Sequence, residues 1–91
     1  LSAAGPVEVV IRNRRGLHAR ASARFVRLAS QFGATVHVAK DGQEVLGTSI
    51  MGLLMLGAAM GEAIVIRAEG EDAEAAVEAL RALVESRFGE D

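Results

Sequence analysis

The 91-residue chain contains no cysteine, tryptophan or tyrosine, and only one proline. Without cysteine there is no disulfide framework and no thiolate metal site. Three phenylalanines are the only aromatics, which leaves little to stack on nucleic-acid bases. A net charge of −2 points the same way, against a nucleic-acid partner. The apolar run Ile50 to Met60 is too short to cross a membrane, so no membrane insertion is expected. A P-loop is absent because no Gly-Lys-Ser/Thr ending occurs, and no His-x-x-x-His pair or acidic cluster suggests a metal or other cofactor. Leu1 to Glu8 carries no basic start of a secretory leader, so the expected location is cytoplasmic. Leu rather than Met at position 1 fits a trimmed chain or a piece of a longer one.

Hydrophobic residues at 51% exclude disorder, and the length suits one domain over 1–91. Within it, 1–6 reads as a lead-in of small residues and 89–91 as a tail. Charge is unevenly spread. Six of the ten basic residues fall between Arg12 and Arg27, whereas most acids follow Glu62.

Val7, Val9 and Ile11 alternate with Glu8, Val10 and Arg12, which predicts a first strand. Asn13-Arg14-Arg15-Gly16 reads as a polar turn. A first helix is expected from Ala19 to Phe32, burying Phe25, Leu28, Ala29 and Phe32, with Val26 beside them and Gly33 as its C′ glycine. Val36 and Val38 point inward on a second strand, Thr35 to Ala39, with His37 outward at the surface. Asp41-Gly42 signals a hairpin into a third strand, Glu44 to Leu46. Ser49 can cap a short helix, Ile50 to Leu56. Ala63 to Ala68 reads as a fourth strand, and Asp72 can cap a last helix, Ala73 to Phe88. The order strand, helix, two strands, helix, strand, helix predicts an α+β fold. Its economical form is a four-stranded, mainly antiparallel sheet with three helices on one side. The other sheet face, carrying Glu8, Arg12, His37, Glu44 and Arg67, is expected to meet water.

The informative stretch is Gly16-Leu17-His18-Ala19-Arg20, at the handover from strand to helix. The first N–H groups of a helix lack intrahelical partners and favour an anion at its mouth. His18 there, with Arg20 two residues on, can receive a phosphoryl group, and solvent access would keep the adduct transferable. Arg20, Arg24 and Arg27 fall within roughly 60° of one another on the helix. They are either a solvated face or part of a partner surface. Met51, Leu53, Leu54, Met55 and Leu56 are too many for one buried stripe of a two-turn helix. They are either all core or partly an exposed docking patch. Ser22 and Ser30 have no nearby base. The residues therefore read as a phosphoryl carrier, and a histidine serving only as a helix-mouth residue is the competing reading.

The first motif, taken with Gly47-Thr48-Ser49-Ile50-Met51-Gly52-Leu53-Leu54-Met55-Leu56-Gly57, resembles the HPr family. These are the histidine-containing phosphocarriers of the bacterial phosphotransferase system. The resemblance runs from about Val7 to Val84, with both motifs at matching separation. It implies an open-faced β-sandwich, βαββαβα. It implies that the chain is not itself an enzyme. It would take a phosphoryl group from phosphoenolpyruvate through enzyme I onto the Nδ1 of His18 and pass it to IIA-type acceptors, with Arg20 assisting. Ser49 matches a regulatory phosphorylation site in branches with an HPr kinase/phosphorylase. Ala19, Arg24, Arg27, Ile50, Met51, Leu54 and Met55 match partner-docking positions. A monomer is expected.

The chain departs from the family at Ala21, where most members carry proline. Proline presets the first helical turn, whereas alanine is only an excellent helix former. His-Ala-Arg-Ala-Ser-Ala resembles the branch of the nitrogen-related phosphotransferase system, so sugar uptake and nitrogen-related regulation are both open. Two other classes are weighed against the carrier. An ACT-like ligand-binding module would need no particular residue at position 18. An enzyme using His18 as general base would need a pocket and a second titratable group near it, neither of which the sequence supplies.

Overall fold

The computed structural model describes residues 2–90. Its elements run β1 (Ser2–Val10), α1 (Ala19–Ala29), β2 (Ala34–Lys40), β3 (Gln43–Leu46), α2 (Ile50–Leu56), β4 (Ala63–Gly70) and α3 (Ala73–Glu85), followed by a 3-10 turn, Arg87–Gly89. The sheet order is β1-β4-β2-β3, and each neighbouring pair is antiparallel. β1 and β2 flank β4 and therefore run parallel, which is why a helix must connect them. The expected α+β architecture is thus observed.

The core lies between one sheet face and the helices. Val9, Val36, Val38, Ile64, Ile66 and Ala68 are buried from the sheet. Phe25, Leu53, Leu80 and Val84 meet them from the helices. Ala73 and Ala76 are fully buried, and their small side chains let α3 lie close to β1 and β4. Asp41 and Gly42, both at positive φ, form the two-residue turn of the β2–β3 hairpin.

Several boundaries differ from the sequence reading. Residues 2–6 are not a lead-in: Ser2, Ala3 and Ala4 pair with Gly70, Glu69 and Ala68, and a bulge separates them from Val7. Leu1 of that lead-in and Asp91 of the tail lie outside the described residues. α1 stops at Ala29, not Phe32. The Ser30 hydroxyl donates to the Val26 carbonyl at 2.7 Å, and the next turn tightens to i→i+3 bonds. Gly33 is therefore not the C′ glycine. Its N–H donates to the Asp72 carboxylate at 3.0 Å, so Asp72 stands at the mouth of α3 without capping it through its side chain. α3 ends at Glu85. Arg87 (φ 63°) and Phe88 (φ 54°) adopt left-handed backbone that no α-helix continues. Arg87 consequently does not sit in the last turn of α3.

On the open sheet face, His37 is not a free surface side chain. It is 18% exposed, with Nδ1 3.7 Å from Glu44 and Nε2 3.3 Å from Glu69. Arg67 pairs with the same two carboxylates. Its guanidinium hydrogen bond and charge outweigh the opposing effect of desolvation and hold the Glu44 carboxyl below its ordinary value. Arg12 lies beyond the end of β1 and does not belong to this face.

Candidate functional site

The His18 corner is assembled from the loop after β1, the start of α1 and the end of the chain. The buried Ile11 closes β1 onto the α2–β4 loop: its N–H donates to Glu62 and its carbonyl accepts from Gly61, both at 2.8 Å. Asn13, fully buried, donates from Nδ2 to the Gly16 carbonyl at 2.8 Å and braces the turn. Gly16 has φ 67°, and a Cβ there would press on the Ala58 carbonyl oxygen, so glycine is required. Leu17 is buried, and its N–H donates to Ala58 at 2.9 Å. The backbone that delivers His18 is therefore pinned on both sides.

His18 is the N-cap of α1, and its Nδ1 accepts from the Arg20 N–H at 3.3 Å. Ser22 is buried and donates to the Leu17 carbonyl, which makes it a brace for this turn. The other ring nitrogen, Nε2, lies 2.6 Å from the Glu90 carboxylate. An ionised carboxylate only accepts and a backbone N–H only donates. Those two partners assign the proton to Nε2 and leave the lone pair on Nδ1. This tautomer is inferred from the partners.

Residues 89–90 are thus not a free tail. Phe88 is buried, the Arg24 guanidinium donates to its carbonyl, and Gly89 at φ 74° turns the chain back onto the corner. Glu90 then accepts from Asn13 Nδ2 at 3.0 Å and faces His18. Desolvation pushes the Glu90 carboxyl up. Hydrogen bonds from Asn13 and His18, with the charges of His18 and Arg20, outweigh that and leave it below its ordinary value. The side chain of His18 is only 17% exposed, so the ring is more covered than the sequence suggested.

Arg14, Arg15, Arg20 and Glu90 line an open cleft of about 460 Å³ beside this pair. Arg20 belongs to the sequence reading. Arg14 and Arg15 had been placed in a polar turn, although two adjacent arginines just before Gly16 were a legible signal. Asn13 and Glu90 carried no such signal.

α1 packs against α2. The Ser49 hydroxyl accepts from the Gly52 N–H at 2.9 Å, which is the expected cap. Of the α2 side chains, Leu53 and Leu56 are buried, whereas Ile50, Met51, Leu54 and Met55 are exposed, Met51 and Met55 by 67% and 69%. An all-core reading of this stretch is thereby corrected. Ala19 and Arg27 are exposed on α1. Arg24 is half-buried and tied to Phe88, so the three arginines are not an equivalent row. Among the described residues no His, Cys, Asp and Glu group could hold a metal ion, and no helix is long and apolar enough to cross a membrane.

The family pattern described as the PTS HPr component phosphorylation site matches residues 7–86. The chain is 43% identical over 84 residues to the phosphocarrier protein HPr of Xylella fastidiosa, covering 92% of this chain and 94% of that one. It is 41% identical over 83 residues to the phosphocarrier protein NPr of Shewanella violacea, covering 91% of each. The crystal structure of HPr-C-His from Thermoanaerobacter tengcongensis superposes with a TM-score of 0.90 at 43% identity, over 100% of this chain and 99% of that one. Matches of this length to one family set aside the ACT-like alternative. The chain belongs to the HPr family, the phosphocarriers of the phosphotransferase system.

Proposed function

We propose that this protein carries a phosphoryl group on Nδ1 of His18, taking it from phosphorylated enzyme I and giving it to IIA-type acceptors. The observation that carries this reading is the short Nε2–Glu90 contact, which leaves the Nδ1 lone pair toward the helix mouth. In the transfer, the phosphoryl group leaves its donor atom on enzyme I, and the bonding pair stays with that atom. The Nδ1 lone pair forms the new P–N bond. No proton leaves Nδ1, because the ring proton is on Nε2. The phosphorylated ring then carries positive charge, which the Glu90 carboxylate offsets. The Arg20 N–H, released from Nδ1, turns to a phosphoryl oxygen. Arg20, Arg14 and Arg15 supply charge-assisted hydrogen bonds from the cleft. The chain is the phosphorylated intermediate, and its partners do the catalysis.

Docking falls to the exposed surface of α1 and α2. Arg27 and the solvent side of Arg24 steer an acidic partner, and Ala19, Ile50, Met51, Leu54 and Met55 fill an apolar hollow on it. The protein acts as a cytoplasmic monomer. The main test is intact mass after incubation with phosphoenolpyruvate and enzyme I. One added phosphoryl group is expected in the wild type and none in His18→Ala; phosphorylation persisting in that variant contradicts the assignment.

Ser49 is the proposed regulatory site for a kinase/phosphorylase of the HPr type. A phosphate at this N-cap would be accommodated by the helix without refolding, and its charge of about −1.5 to −2 would fall within the docking patch. Ser49→Asp is expected to slow phosphorylation of His18 at an unchanged melting temperature. Ser49→Ala is expected to lose about 0.5–2 kcal/mol of stability with a normal transfer rate. A wild-type transfer rate in Ser49→Asp leaves Ser49 as a cap alone.

A further inference from the structure

The arginines divide into two populations. Arg67 and Arg81 are engaged by carboxylates, and Arg24 by a carbonyl. Among the described residues, Arg12, Arg14, Arg15, Arg20, Arg27 and Arg87 make no ion pair. Three of these, Arg14, Arg15 and Arg20, line the His18 cleft, and Arg12, Arg14 and Arg87, with Met60, line a second cleft of about 240 Å³. Arg14 belongs to both clefts. Glu90 lines the first, whereas among the described residues none that lines the second is acidic.

The second cleft is held by the fold. Arg12 follows the pinned Ile11, and Arg87 precedes Phe88, which is buried and bonded through its carbonyl to Arg24. Arg87 itself is kept at φ 63°, a left-handed conformation unfavourable for a long side chain. Backbone held in such a region is over-determined by its surroundings and concentrates at sites of function. Three arginines line one small space, so their like charges disfavour one another, and an anion bound among them would offset that. Their planar donors match phosphate oxygens in pairs. The volume falls below the roughly 300–1,000 Å³ of a drug-sized pocket. It admits a small anion or the phosphorylated end of a larger molecule, whose apolar part would lie on the exposed Met60.

We propose that Arg12, Arg14 and Arg87 form a second anion site, beside the His18 cleft and sharing Arg14 with it, that binds a diphosphate group, free or borne by a small metabolite. The test is titration of the unphosphorylated full chain with inorganic pyrophosphate and, separately, with ADP, followed by amide and methyl NMR shifts. Its readout is independent of phosphoryl transfer, so it stands whether or not His18 is the acceptor. Saturable shifts are expected at Arg12, Met60 and Arg87. Affinity should fall by roughly tenfold or more in Arg12→Gln and in Arg87→Gln, and should persist in Arg20→Gln. Equal affinity for the two probes identifies the free anion as sufficient. Tighter ADP binding that is lost in Met60→Ala identifies a metabolite-borne diphosphate. No saturable shift with either probe overturns the proposal. So does binding centred on Arg15 and His18 that Arg20→Gln abolishes and Arg12→Gln spares.

Discussion

Two histidines of this chain sit beside glutamates, and their surroundings are built to opposite ends. His37, on the open sheet face, lies between Glu44 and Glu69, and Arg67 pairs with both. Opposite charges there meet one another, and nothing positive is left over for an incoming anion. His18 has one carboxylate on Nε2, a helix N-terminus at Nδ1, and arginines around it that make no ion pair among the described residues. On the proposed function, what suits a histidine to accept a phosphoryl group is what its neighbours leave unused. At His18 these are one lone pair and several guanidinium donors.

The largest effect that separates the two is expected from removing each ring in turn. His18→Ala should abolish phosphoryl uptake from enzyme I, whereas His37→Ala should leave it at the wild-type level, as read by intact mass. Uptake surviving in the first variant and lost in the second would invert the comparison.

A second contrast lies in how each histidine's carboxylate is held. Glu44 and Glu69 stand on strands, but Glu90 depends on the reversal anchored by Phe88. Phe88→Ala removes a buried ring and should lose about 3–5 kcal/mol in denaturant unfolding. It should also free Glu90 from His18, visible as a changed His18 ring signal with the His37 signal unaltered. A loss below about 1 kcal/mol would mean that the chain end is not anchored this way.

The mildest change is Glu90→Gln, which keeps the shape and removes the charge. Transfer to His18 should slow by roughly tenfold, the factor for one charge-assisted hydrogen bond weakened to a neutral one. Glu44→Gln and Glu69→Gln should leave the rate unchanged. The Glu90 carboxyl lies below its ordinary value of 4.5 in the folded chain. Its contribution is therefore present above that value and lost as pH falls through the lower, folded value. In acid titrations monitored by unfolding, the wild type should lose this contribution and Glu90→Gln should show no such step.

How much was legible in the sequence follows from the range of each contact. The Ser49 cap could be read because its partner, Gly52, is three residues away. The Asp-Gly hairpin and the helix-mouth position of His18 are equally local. Glu90 was invisible because its partners, His18 and Asn13, lie 72 and 77 residues away. No local pattern marks a carboxylate that acts across the whole chain. Asp72 misled for the same reason: its capping chemistry was intact, but Gly33 supplied the N–H that it accepts from. Phe88 closes the range expected for α3, yet it is a backbone reversal at Arg87, not the helix, that carries its side chain into the core. Ser2 to Ala4 offered no β-branched residue, and their strand arises from pairing with β4. Arg14 and Arg15 were visible as a basic pair, but not that they would share a cleft with Arg20.

The central claim is that Glu90 fixes the His18 tautomer and leaves Nδ1 as the acceptor. Long-range proton–nitrogen NMR of the imidazole ring tests it directly, before and after phosphorylation by enzyme I. The predicted spectrum shows the neutral ring protonated at Nε2, then phosphorus coupled to Nδ1. A neutral ring protonated at Nδ1, or phosphorus coupled to Nε2, would contradict the account.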